Sequence, residues 1–102
     1  MPYPYWSLRT KISVLQRYII VHSIIYYSLD NSTISDKKFD ELSKELVTLM
    51  ELADDKELEA TDYWYCMYDF DGSTGFHLYD RLTEYDKQYL TKIARYVLSL
   101  KG

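Results

Sequence analysis

Cysteine is nearly absent from this chain. A single thiol, Cys66, excludes an intrachain disulfide and a thiolate metal cluster. Between Tyr65 and Met67 it reads as a small core residue. No apolar run approaches the length of a membrane span. Pro2, Pro4 and Trp6 interrupt the charged-then-apolar pattern of a secretory leader. The expectation is therefore a soluble, cytoplasmic protein without membrane contact. Negative charge is missing from residues 1–29, which carry only Arg9, Lys11 and Arg17. Glycine and proline are scarce as well, three and two against twelve tyrosines. Tyrosine pairs a large apolar body with a polar tip, so this excess favours half-buried positions and binding surfaces and says nothing of catalysis.

The net charge of −4 is concentrated. Residues 30–62 hold eleven acids (Asp30, Asp36, Asp40, Glu41, Glu45, Glu51, Asp54, Asp55, Glu57, Glu59, Asp62) against four lysines, whereas residues 63–102 balance. An acidic middle repels phosphate, which argues against direct nucleic-acid binding. It attracts a basic protein surface, including one that ordinarily holds nucleic acid.

At 102 residues the chain is expected to be one domain with one modest core. After a Pro/aromatic lead-in, Ser7 or Thr10 can cap a helix running to about Leu29. Leu8, Ile12, Leu15, Ile19, His22, Tyr26 and Leu29 line up one apolar face, and Val14, Tyr18, Val21 and Ile25 form a second stripe beside it. A helix apolar over so wide an arc belongs at the centre of the domain; the alternative is that its second stripe mediates a homodimer. Asp30-Asn31-Ser32-Thr33 is turn chemistry. Ser35 then caps a second helix with Asp36 in its first turn. Phe39, Leu42, Leu46, Leu49 and Ala53 give that helix its buried side. The short connection predicts an antiparallel pair.

Asp54 to Thr61 reads as an acidic loop. Residues 63–70 admit a short strand or a buried helical turn. A loop at 69–75 precedes a short helix from Phe76 to Leu82. Thr83, with Asp86 three residues on, opens a last helix whose buried face is expected at Tyr89, Ile93, Tyr96 and Leu100, widened by Leu90 and Val97. The fold class is mainly α. No internal repeat or low-complexity tract is present.

Chemistry concentrates where the first helix ends and the second begins. Tyr26 and Tyr27 lie at one end of the connection, and Asp36, Phe39 and Asp40 at the other. Spacings of three and four put Asp36 on one face with Phe39 and Asp40. Aromatic rings with two carboxylates suit a flat cationic ring, held by stacking and cation–π attraction while carboxylates offset charge or bind ribose hydroxyls. Oxidised nicotinamide is such a ring. Elsewhere, Asp69-x-Asp71-x-Ser73 with Asp80 partly mimics a calcium loop, but Thr74 stands where its glycine belongs, and no metal is expected. His22 sits in an apolar stripe and reads as a satisfied core residue. His77 lies apart from it. Neither has a Cys or Ser partner at a recognisable spacing for acyl transfer.

The same corner resembles the N-terminal Ia subdomain of bacterial NAD-dependent DNA ligases, a small helical unit. The likeness runs through His22, Tyr26, Tyr27, Asp30, Ile34, Asp36, Phe39, Asp40 and Leu42 and covers about residues 8–52. It implies that Tyr26, Tyr27, Asp36, Phe39 and Asp40 contact the nicotinamide mononucleotide half of NAD. Phe39 departs from the family's tyrosine and lacks its hydroxyl. A ligase also needs a nucleophilic lysine in Lys-x-Asp-Gly; the single Asp-Gly here, Asp71-Gly72, follows Asp69-Phe70.

No enzymatic activity is therefore expected. The first reading is a small binding protein that engages a partner protein through Glu41, Glu45, Asp54, Asp55, Glu57, Tyr63 and Trp64, in the manner of phage-encoded inhibitors of host nucleic-acid or defence enzymes, anti-CRISPR proteins among them. In that reading no cofactor is required. The second is a module binding NAD or nicotinamide mononucleotide, or an accessory subunit of an adenylating ligase.

Overall fold

The computed structural model describes residues 7–73 and 75–100. The Pro/aromatic lead-in at 1–6 and Thr74, the misplaced position of the calcium-like spacing, lie outside them. Among the described residues there are six α-helices and one π-helical turn, with no strand: α1 (Leu8–Ser23), the π turn (Ile24–Ser28), α2 (Asp36–Leu52), α3 (Asp55–Glu59), α4 (Trp64–Met67), α5 (Leu78–Arg81) and α6 (Glu84–Leu100). None of these helices is long and apolar enough to cross a membrane.

Local chemistry sets the helix starts. The Ser7 hydroxyl accepts the Thr10 N–H at 3.2 Å, and that of Ser35 accepts the Lys38 N–H at 3.1 Å. Thr83 accepts the Asp86 N–H at 3.2 Å. Each cap satisfies a backbone donor that the first helical turn leaves unpaired.

Helix α1 is the hub, in contact with α2, α3, α5 and α6. Ile12, Leu15 and Ile19 from its first stripe and Val21 and Ile25 from the second are buried, together with Ile20 and Ile24. Tyr18 alone of the second stripe is exposed. Helix α2 packs on α1 through Leu46 at its centre, flanked by the half-buried Phe39, Leu42, Leu49 and Ala53. Apolar residues from both halves of the chain, Ile12 to Ala94, share one hydrophobic cluster. Burying each such side chain contributes on the order of 1.5–3 kcal/mol.

One polar residue inside α1 escaped the apolar pattern. Gln16 is fully buried. Its Nε2 donates to Thr61 Oγ1 at 3.0 Å, and its Oε1 accepts the Tyr63 N–H at 3.1 Å. Gln16 thereby fixes the irregular segment after α3 against the central helix.

Two expectations need correction, and one open alternative is decided. The acidic loop at 54–61 contains α3, because Asp54 accepts the Glu57 N–H at 2.8 Å and caps it, while Leu58 supplies a buried anchor. Residues 63–70 form no strand; Trp64–Met67 is a helical turn that buries Cys66 and Met67. The buried face of α6 is centred on Leu90 and Ala94, with Ile93 and Val97 beside them, while Tyr89, Tyr96 and Leu100 are exposed. The tyrosines are left at the wet margin where their hydroxyls stay solvated.

Candidate functional site

The site begins with a change of helical winding. After Ser23 the backbone closes i→i−5, with the Leu29 N–H donating to the Ile24 carbonyl at 3.0 Å. Asp30 then takes a positive φ of 50°, a conformation Asp tolerates better than most residues. This lets the Asn31 N–H reach back to the Ile25 carbonyl at 3.0 Å and ends the helix. A turn closed i→i−5 holds more residues than an α turn, so neighbours diverge by less than the α-helical angle of about 100°. Tyr26 and Tyr27, consecutive in sequence, consequently line the same cavity, exposed by 53 % and 44 %. Their rings meet edge to face, with centroids 4.8 Å apart.

That cavity has a volume of about 340 Å³. Its second wall is the first turn and a half of α2, where Asp36, Phe39 and Asp40 point to it from one face. The five residues that the sequence nominates for a nicotinamide nucleotide are thus gathered around one opening. Ser23, Ser32, Thr33 and Ser35 also line it, and among the described residues no lysine or arginine does. Asp40 is held on its outer side by Lys44, one turn on, at 2.9 Å.

His22 has both a structural and a local place. It is buried, its ring lies 4.5 Å from that of Tyr18, and its Nδ1 shares a hydrogen bond with Thr33 Oγ1 at 3.2 Å. Burial holds its pKa below the ordinary imidazole value. The ring is therefore a satisfied core group, as expected, and it also ties the 31–35 connection to α1 at the edge of the cavity.

The third wall was not foreseen. Gly72 and Ser73, more than thirty positions from Asp40, close the cavity from the other side. Their only sequence signal was Asp71-Gly72-Ser73 itself, a turn whose destination no local pattern reveals. The calcium-like use of this stretch is not what its side chains do. Asp69 pairs with Arg81, which lowers the pKa of its carboxyl, and Asp71 accepts from Ser73. Among the described residues no His, Cys, Asp or Glu group is arranged to hold a metal ion.

The acidic and aromatic residues nominated for a protein partner are less coherent. Glu41 and Glu45 lie on α2, Asp54, Asp55 and Glu57 on or beside α3, and Trp64 is half-buried in α4. Tyr63 is only 7 % exposed, so it belongs to the core and not to a docking surface. Its burial pushes the phenol pKa up to about 12, aided by the nearby Asp86 charge.

A protein-family model described as DNA ligase-like, N-terminal NAD+-binding domain matches residues 6–62, more than half of the chain. The match takes in α1, the π turn, α2 and α3, and hence two of the cavity's three walls. No curated protein and no solved structure matches the chain.

Proposed function

Because this chain belongs to the DNA ligase-like, N-terminal NAD+-binding domain family, we propose that it binds the nicotinamide mononucleotide half of NAD+ in the cavity between the π turn and α2. The observation that carries this reading is the convergence of Tyr26, Tyr27, Asp36, Phe39 and Asp40 on one cavity of about 340 Å³ from two separate elements. The donor set fits the group. Aromatic faces attract a pyridinium ring by about 0.5–2 kcal/mol each when well placed. Asp36 and Asp40 offset its positive charge or accept from ribose hydroxyls. Among the described residues no lysine or arginine lines the cavity, so none there would pair with the phosphate.

The role is binding without chemistry. The matched region is the nucleotide-binding domain of its family, and no Lys-x-Asp-Gly occurs in the 102 residues to accept an adenylate. The module would present the dinucleotide to a reactive lysine outside these 102 residues, as an accessory subunit does. The inhibitor reading, with a host nucleic-acid or defence enzyme as target, rests on composition and charge, and no feature of the fold favours it over the cavity.

The test is a titration with nicotinamide mononucleotide, followed by tyrosine and tryptophan fluorescence and by melting temperature. A ligand at a hundred times its Kd stabilises the folded state by about 2.7 kcal/mol. Saturable stabilisation that vanishes in Asp36→Ala supports the proposal. A flat response at millimolar ligand overturns it.

A further inference from the structure

We infer that the turn at 71–73, outside the matched family region, is a working part of the nucleotide site, and that Ser73 Oγ accepts a hydrogen bond from the ligand. The inference rests on the nucleotide reading of the cavity and adds to it a residue from the other half of the chain.

Ser73 lines the cavity directly opposite in origin to the tyrosines and carboxylates of the matched half. Its orientation is fixed from within the turn. The Ser73 N–H donates to Asp71 Oδ1 at 2.9 Å, and the Ser73 hydroxyl donates to the same oxygen at 2.6 Å. The hydroxyl proton is thereby committed to Asp71. What Ser73 offers the cavity is its lone pairs, so it calls for a ligand group that donates. Nicotinamide mononucleotide carries two such groups, the carboxamide NH₂ and the ribose hydroxyls.

The turn is also anchored on both sides of the cavity. Gly72 has φ +87°, and a Cβ there would stand 3.4 Å from Val47 Cγ2 and 3.7 Å from the Ser43 carbonyl oxygen, so its backbone lies on α2. Gly75 lies against Ser23 at the end of α1, and Phe76 meets Tyr27 edge to face with centroids 5.2 Å apart. A turn pinned to both helices presents Ser73 at a set position, which is what lets one hydrogen bond count toward affinity. In this chain Phe39 brings no hydroxyl to the cavity, and Ser73 supplies an accepting one from the turn.

The experiment uses the full chain and two probes, nicotinamide mononucleotide and its nicotinic acid counterpart, whose carboxylate cannot donate. Ser73→Ala is expected to weaken the amide ligand about three- to tenfold, the range for one hydrogen bond, with melting temperature unchanged. If the donor is the carboxamide, the acid ligand is unaffected by the substitution; if it is the ribose, both ligands weaken alike. Asp71 is a positioning residue: Asp71→Ala should weaken binding as Ser73→Ala does, while Asp71→Asn, which keeps the accepting oxygen, should restore it to within about twofold. Ser73→Ala within twofold of the parent, while Asp36→Ala abolishes binding, overturns this inference and leaves the nucleotide reading standing. No binding by the parent chain overturns both.

Discussion

The contact between Gly75 and Ser23 joins the outer wall of the cavity to the central helix, and it leaves no room for a side chain. Gly75 is buried, and a Cβ added to it would stand 2.0 Å from Ser23 Oγ and 2.9 Å from Ser23 Cβ. Real Cβ atoms essentially never approach another heavy atom below 3.0 Å. In Gly75→Ala the serine hydroxyl must first rotate away, breaking its bond to the Ile19 carbonyl at 2.8 Å, which costs about 0.5–1.5 kcal/mol. Rotation does not cure the 2.9 Å approach to Ser23 Cβ, so the backbone must also withdraw, at about 1–3 kcal/mol for overpacking. The sum, about 1.5–4.5 kcal/mol, corresponds to a fall in melting temperature on the order of 10–30 °C for a domain of this size. Thermal and urea unfolding of Gly75→Ala would measure it. The compensating partner is Ser23→Gly, which removes both offending atoms. The double variant should recover at least half of the loss despite the cost of about 1 kcal/mol for glycine in a helix. A Gly75→Ala chain that melts within 2 °C of the parent, roughly 0.5 kcal/mol or less, would refute the reasoning.

Three further outcomes follow from buried polar groups. Gln16→Leu strips the Tyr63 N–H of its acceptor in a buried setting and should destabilise by about 2–3 kcal/mol, read as a lower urea midpoint at unchanged slope. Ser43 is fully buried and its hydroxyl has no partner among the described residues, so Ser43→Ala should raise stability by about 1 kcal/mol; a fall in melting temperature would contradict the assignment. His22 has a folded-state pKa depressed by burial, so the unfolded chain takes up its proton first. Its contribution is whole above the unfolded value of 6.5 and is lost as pH falls below that toward the folded value. Melting temperature should therefore drop between pH 7.5 and 5.5, and less so in His22→Gln. The carboxyls of Asp69 and Asp71, depressed below 3.8 by Arg81 and Ser73, act only in a separate window at more acidic pH.

Helix positions were legible because they are written locally. Ser7, Ser35 and Thr83 each sit three residues before the N–H they accept, and the apolar spacing of α1 and α2 marks the faces that pack. Helix α3 obeys the same rule through Asp54 and Glu57, but at five residues it buries only Leu58, too little for periodicity to register. The face of α6 was misjudged because tyrosine counts as apolar in a pattern while its hydroxyl draws it to the surface. Leu90 and Ala94 make a weaker pattern yet are fully buried. Gln16 shows the opposite error. A polar residue outside both apolar stripes is fully buried, because its two hydrogen bonds are made to residues 45 and 47 positions away.

The candidate site divides along the same line. Its first two walls come from segments ten residues apart, and their residue types announce both the aromatic faces and the carboxylates before any fold is known. The π turn that aims two consecutive tyrosines at one cavity carries no such mark, since Ile24 to Ser28 would continue an α-helix as readily by propensity; it ends where Asp30 takes a positive φ and the Asn31 N–H reaches back to the Ile25 carbonyl. The third wall depends on where Gly72 and Gly75 come to rest, and both are fixed by spaces left beside Val47 and Ser23. Those spaces exist only after α1 and α2 have packed. The cavity therefore draws on two kinds of residue. On the proposed nucleotide reading Asp36 and Phe39 serve by what they offer a ligand, whereas Gly72 and Gly75 serve by what they do not occupy. A relative that kept the first set and filled the second would retain the likeness to the family and lose the enclosure.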